Sequence, residues 1–121
     1  MKTTLLDTKT ALQYLGNDAN ILRQVRLVFQ NALPAQFKKL QQACVNNDVY
    51  QVEGIAHSIK SAAASCGAQA IRELALRIEH TAGEGALQEL PHMIEALATS
   101  MTETFQAMQR ENHLLENIDG E

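Results

Sequence analysis

The sequence predicts an all-α protein, an antiparallel up-and-down four-helix bundle with a short additional N-terminal helix. Three observations support this prediction. Apolar residues recur every three or four positions through five segments, which is the spacing of one face of an α-helix. No segment alternates polar and apolar residues with the period of two that is typical of a strand. The connections between segments are short, which favours antiparallel packing of consecutive helices.

The first predicted helix is short and runs roughly from Asp7 to Leu15. The Asp7 side chain can accept hydrogen bonds from the free N–H groups of the first turn. Gly16 follows the helix and can end it in a left-handed conformation. We expect this helix to cover one end of the bundle.

A long second helix is predicted from a cap at Asn17 or Asp18 to about Cys44. Pro34 lies inside it, and a proline within a helix removes one hydrogen bond and bends the backbone. Because the apolar stripe keeps its phase beyond Pro34, we expect a kink rather than a break. The stripe consists of Leu22, Val25, Phe29, Leu33, Phe37, Leu40 and Cys44.

The third and fourth helices follow a turn at Asn46–Asp48, whose polar side chains can cap a helix. The third runs from about Val49 to Ser65, and Gly67 interrupts the pattern before the fourth, from about Ala68 to Ala82. The stripe of the third helix is Val52, Ile55, Ala56, Ile59, Ala62 and Ala63, which Cys66 would continue. That of the fourth is Ile71, Leu74, Ala75, Ile78 and Ala82.

The last helix is predicted after the helix breaker Gly83–Gly85 and starts near Pro91, a residue tolerated in a first helical turn. Its inward residues are Ile94, Leu97, Met101, Phe105 and Met108. The tail Glu116–Glu121 is polar, and we expect it to fray. Residues 1–121 therefore form one predicted domain with an ordered core at about 5–115.

Composition and charge exclude several classes of function. The 121 residues are 45% hydrophobic with a net charge of −4, which suits a folded domain and not a nucleic-acid binder. No apolar run approaches the ~18 residues of a membrane span, and Met1–Thr4 lack the apolar core of a signal peptide. Cys44 and Cys66 are interpreted as reduced, buried thiols of a cytoplasmic protein.

One exposed face of the third helix stands out. At 100° per residue His57 lies off the buried stripe, and Lys60, Ser61 and Ala64 share its face, with Glu53 one turn earlier. A neutral imidazole is a good nucleophile, and small neighbours leave its nitrogen open to in-line attack on a phosphoryl group. Lys60 can offset the negative charge of the phosphoryl oxygens. The alternative is an ordinary surface histidine without a role.

The segment from Ala56 to Ala68 resembles the signature of histidine phosphotransfer domains. It contains Ala-His, an apolar residue, Lys, a small residue, and Gly-Ala ten residues after the histidine. The resemblance covers roughly residues 5 to 110. One position departs from the pattern, since Ser61 stands where glycine is common. Further matches are Leu33-Pro34, Asn47-Asp48, Leu74-Ala75 and Ile78-Glu79.

The resemblance implies a role for each residue of the site. His57 would be the phosphoacceptor through Nε2, and Lys60 would stabilise the bound phosphoryl group. Glu79 would accept a hydrogen bond from the imidazole Nδ1–H and so orient the ring. Ser61, Ala64 and Leu76 are the candidate partner-binding residues; Leu76 projects away from the buried stripe of its helix.

The implied function is that of a phosphorelay intermediate between response-regulator receiver domains. His57 would take the phosphoryl group from one receiver aspartate and pass it to another. We expect no cofactor of the chain's own, Mg²⁺ supplied by the receiver, no autonomous kinase activity from ATP, no membrane contact and a monomer. The resemblance fits a free-standing protein and the C-terminal module of a hybrid sensor histidine kinase equally, so both remain open.

A helical bundle can also serve two other functions. A non-catalytic helical adaptor would have the same bundle with an inert His57. A di-iron bundle needs inward Glu-x-x-His pairs, whereas Glu53 and His57 are four residues apart and face outward. We therefore expect no metal site. The remaining histidines, His80, His92 and His113, are predicted to be surface residues.

Overall fold

The computed structural model describes residues 4–119, with side chains described to Leu114, and this part of the chain is helical as predicted. A one-turn 3₁₀ helix at Leu87–Glu89, absent from the sequence-based prediction, precedes the last helix. That helix continues to Asp119, past the point where fraying was expected. The helices are α1 (Thr8–Tyr14), α2 (Ala19–Val45), α3 (Val49–Cys66), α4 (Gln69–Gly83) and α5 (Leu90–Asp119).

Three aspartates determine where the first three helices begin. The carboxylate of Asp7 accepts from the N–H of Thr10, and that of Asp48 accepts from the N–H of Gln51. Asp18 accepts from two N–H groups at the start of α2, which settles the choice left open between positions 17 and 18. Each cap satisfies backbone donors that have no partner within the helix.

Helices α2 to α5 form a four-helix bundle in which each helix contacts two neighbours, and α3 and α4 share the most extensive contact. α2 passes through Pro34 without a break. Phe29 and Phe105 meet edge to face with ring centroids 6.5 Å apart. The fully buried apolar residues include Leu33, Leu40, Val52, Ile59, Ile71, Ile78, Leu97 and Met108.

The short helix α1 covers one end of this bundle, as expected. Ala11 is buried against Leu22 of α2 in a small second apolar cluster. The backbone N–H of Asp7 donates to the carbonyl of Gly67 at 2.8 Å, which attaches the segment before α1 to the α3–α4 turn. The N-terminal helix is therefore packed onto the domain.

The structure corrects two expectations about buried residues. Cys66 is buried, but Cys44 is only half-buried; both are free thiols. Burial raises the pKa of the Cys66 thiol to about 11, so this thiol is protonated at neutral pH. The second correction is Arg26, which lies fully buried on the apolar stripe of α2, where only apolar residues were predicted.

Candidate functional site

His57 lies on the outer face of α3, in the middle of the helix. Its side chain is 59% exposed. The helix is fixed at one end by the Asp48 cap and at the other by Gly67, whose φ of +75° reverses the chain into α4. This left-handed turn brings α4 back alongside α3, so that side chains of the two helices can meet beside His57.

Glu79 of α4 bridges the two candidate site residues that the sequence places on α3. Its Oε2 lies 2.8 Å from Nδ1 of His57, and its Oε1 accepts from Nζ of Lys60 at 2.7 Å. Lys60 and Glu79 are each about three-quarters buried. The structure therefore brings together His57, Lys60 and Glu79, which the sequence had predicted as one site.

The hydrogen bond from Lys60 holds the pKa of the Glu79 carboxyl below its ordinary value. Partial burial opposes this effect, and the hydrogen bond with His57 adds to it. Glu79 is therefore a carboxylate at neutral pH. A carboxylate can only accept hydrogen bonds, so the 2.8 Å contact requires the proton of His57 to be on Nδ1.

The Nδ1–H tautomer leaves a lone pair on Nε2. Among residues 4–114, no side chain is hydrogen-bonded to this nitrogen, and the ring is largely exposed. The arrangement can perform nucleophilic attack through Nε2 while the opposite nitrogen is held by a charge-assisted hydrogen bond.

The surroundings of His57 on α3 are small and exposed. Ser61 and Ala64 are both exposed on the helix, as the helical spacing predicted. Leu76 of α4 is half-buried, three residues before Glu79. Glu53 lies on the other side, its carboxylate 3.6 Å from the position that a Cβ on Gly83 would occupy. A docking role for Ser61, Ala64 and Leu76 stays a prediction.

The other histidines lie apart from this cluster. His80, His92 and His113 are exposed, as expected. Within the described part of the chain, no three His, Cys, Asp or Glu side chains come together in a way that could hold a metal ion. No helix of that part is long and apolar enough to cross a membrane.

A second ion-paired cluster, centred on Arg26, was missed by the sequence reasoning. Its Nη1 donates to Glu111 at 3.1 Å, Nη2 to Thr8 at 3.0 Å, and Nε to the carbonyl of Cys66 at 3.1 Å. Thr8 also donates to Glu111. The available signal was spacing, because Arg26 follows Leu22 by four positions and precedes Phe29 by three.

Known proteins resemble this chain in sequence pattern and in fold. The family model described as "Hpt domain" matches residues 24–116. None of the curated proteins is significantly similar in sequence.

Two solved structures share the fold. One is the HPT domain of an Hpt sensor hybrid histidine kinase from Shewanella, with 20% identity, a TM-score of 0.76, and 88% of this chain and 92% of that chain covered. The other is histidine-containing phosphotransfer protein B (HptB) from Pseudomonas aeruginosa PAO1, with 19% identity, a TM-score of 0.81, and 90% and 95% covered. With its family model matched over most of its length, this chain belongs to the Hpt domain family, with a phosphotransfer role in two-component signalling.

Proposed function

We propose that the chain is a phosphorelay intermediate that carries a phosphoryl group on Nε2 of His57 between the aspartates of two receiver domains. The observation that carries this proposal is the pairing of Nδ1 with Glu79 at 2.8 Å on a ring that is otherwise exposed. That pairing selects the tautomer whose free lone pair faces solvent. A receiver can then approach over Ser61 and Ala64, whose short side chains leave room for it.

In the first step the Nε2 lone pair attacks the phosphorus of an aspartyl phosphate. The N–P bond forms, the acyl P–O bond breaks, and the aspartate leaves as a carboxylate with the bonding electron pair. Nδ1 keeps its proton throughout, so the phosphorylated ring carries a formal positive charge. The Glu79 carboxylate, at hydrogen-bonding distance from Nδ1, offsets this charge.

In the second step the carboxylate of another receiver attacks the same phosphorus. The N–P bond breaks and its electrons return to Nε2, which restores the neutral ring without any proton transfer. Because the aspartyl phosphate and the phosphohistidine are both high-energy phosphoryl donors, the reaction runs in either direction. The bond to Glu79 is needed in both directions, since it holds the Nδ1 proton in place.

Lys60 is the proposed partner of the phosphoryl oxygens. It lies one turn after His57 on the same face, and its Nζ is held by Glu79 at 2.7 Å. A flexible lysine can turn from the carboxylate toward an arriving phosphoryl group, which is a stronger acceptor carrying more charge.

We assign the Mg²⁺ of the reaction to the receiver. Glu79 is the carboxylate that contacts His57, and both of its oxygens already accept hydrogen bonds from this chain. We further propose that the domain acts as a monomer in the cytoplasm, takes no phosphoryl group from ATP, and docks receivers through Ser61, Ala64 and Leu76.

The experiment is transfer from a phosphorylated receiver domain with Mg²⁺ and without ATP. We expect an acid-labile, alkali-stable label on the wild type and none on His57→Ala. A matched control is His80→Ala, which removes an exposed histidine from the neighbouring helix and should leave the label unchanged.

Two outcomes would contradict the proposal. Label that persists on His57→Ala would identify another phosphoacceptor. Lack of label on the wild type with several receivers would favour the adaptor function.

A further inference from the structure

Arg26 is a fully buried cation whose three nitrogens are all engaged. Its partners belong to three elements: Thr8 of α1, Cys66 at the end of α3, and Glu111 of α5. Placing a charge inside a small bundle is costly unless every donor is satisfied, and an apolar residue of similar size often serves stability equally well. The geometry therefore calls for a role beyond stability.

The bond to Cys66 fixes the end of the helix that carries His57 and Lys60. The last carbonyls of a helix lack partners within it. The Cys66 carbonyl accepts from Nε of Arg26, and the Gly67 carbonyl accepts from the N–H of Asp7. These two bonds, from α2 and from the segment before α1, attach the α3–α4 turn to the rest of the domain.

The position of this turn affects how α3 and α4 align along their axes. Glu79 must reach two side chains of α3 at 2.7 and 2.8 Å, so a small axial slip of one helix would break at least one contact. The buried faces of the two helices alternate alanine with larger residues: Ala56, Ile59 and Ala63 on α3, and Ala75, Ile78 and Ala82 on α4. Contacts at the ends of the helices, such as the one that Arg26 makes with Cys66, add to this packing in setting the axial alignment.

We infer that Arg26 is a positioning residue for the phosphoacceptor site: by holding the carbonyl of Cys66, it keeps α3 aligned with α4 so that Glu79 meets His57 and Lys60. The distance along α3 from Cys66 to His57 is nine residues, about 14 Å at 1.5 Å per residue. The expected effect of Arg26 on transfer rests on the proposed function. The expected effect of Arg26 on the ring of His57 does not.

The test compares Arg26→Met with Glu111→Gln. Methionine fills the volume without a donor, whereas Glu111→Gln weakens the same cluster but leaves the bond from Arg26 to Cys66. The first readout is the ¹⁵N chemical shifts of the His57 ring at alkaline pH, where an imidazole is neutral and the shifts report the proportion of the two tautomers. The second is the transfer rate per folded molecule, with Arg23→Met as a control on the same helix.

We expect Arg26→Met to lower the proportion of the Nδ1–H tautomer and to slow transfer by about 10- to 100-fold, the cost of a displacement of about 1 Å. Glu111→Gln and Arg23→Met should leave both readouts at the wild-type level. If Arg26→Met fails to fold, Arg26→Lys replaces it. Lysine keeps the charge but has a methylene group at the position of Nε, the atom that donates to the Cys66 carbonyl, so the expected change has the same direction.

Wild-type ring shifts in the folded Arg26 variant would overturn the inference and leave Arg26 with a structural role alone. Equal changes in the Arg26 and Glu111 variants would also overturn it, since the effect would then follow stability and not the bond to Cys66. Failure of the wild type to accept a phosphoryl group would contradict the proposed function, whereas the ring shifts would still decide this inference.

Discussion

The His57–Lys60–Glu79 site and the Arg26–Thr8–Glu111 cluster both join a carboxylate to a cation and a third polar group. The site lies at the surface of the bundle, with His57 59% exposed, and the cluster surrounds a guanidinium with no exposure. In the cluster all three nitrogens of Arg26 are engaged. In the site, one ring nitrogen of His57 is held and the other is open. A similar set of groups thus holds helices together where water is excluded, and leaves one ring nitrogen open where it is not.

The largest effect that we expect is the difference in lost stability between a mutation in the Arg26 cluster and one in the His57 site. Arg26→Ala should lower the free energy of unfolding by about 3 to 5 kcal/mol, because it leaves a cavity and partners without their cation. His57→Ala removes a surface residue, and the change should stay within about 1 kcal/mol. Urea unfolding of both variants measures the contrast. Similar losses of unfolding free energy in the two variants would mean that burial does not make the Arg26 cluster more important for stability than the His57 site.

A smaller effect is expected when the central carboxylate of the site loses its charge. Glu79→Gln keeps an oxygen that can accept the Nδ1–H bond, but a bond to a neutral acceptor is weaker by about 1 kcal/mol. The transfer rate should therefore fall by roughly tenfold or less, with little change in unfolding. Single-turnover transfer from a phosphorylated receiver is the measurement. An unchanged rate would show that the charge of Glu79 is not used.

The smallest effect that we expect is a loss of stability in acid as the Glu79 carboxylate becomes protonated. The pKa of Glu79 is lowered in the folded state, so below the ordinary glutamate value of about 4.3 the unfolded chain binds more protons. The stabilisation by Glu79 is therefore present at neutral pH and is lost as the pH falls through the lowered pKa.

This contribution should not exceed about 1 kcal/mol, because the Glu79 carboxylate lies at the edge of the bundle and keeps some contact with solvent. It is measured as the difference in unfolding free energy between wild type and Glu79→Gln from neutral pH to about pH 3. A difference that grows toward acid would contradict the lowered pKa.

The sequence predicted the surface site better than the buried cluster, for a physical reason. His57 and Lys60 are one turn apart on one helix, so helical spacing alone places them together. Glu79 lies on the next helix, and its pairing with His57 was implied by the family resemblance, not by spacing. The Arg26 cluster joins residues from four elements, and the partners of Arg26 lie 18 to 85 positions away from it. A helical pattern specifies the face of a residue but not what packs against that face.

Helix boundaries show the same limit on a smaller scale. Asp7, the Asn46–Asp48 turn and Gly67 mark the ends that they were predicted to mark, because capping is a local interaction. The 3₁₀ turn at Leu87–Glu89 has no apolar period long enough to be recognised in the sequence. The start of α5 at Leu90 was therefore placed about one residue late.

Gly67 has a consequence for which substitutions the chain tolerates. A Cβ at this position would lie 2.7 Å from the carbonyl oxygen of Asp7 and 3.0 Å from Cβ of Ala11, and φ is already +75°. Any larger residue must displace the segment before α1 while adopting an unfavourable backbone conformation. Gly54, one turn before His57, has nothing within 4 Å of the corresponding point. In a library of random variants Gly67 should stay glycine, whereas position 54 should accept other residues, although it lies on the face that carries His57.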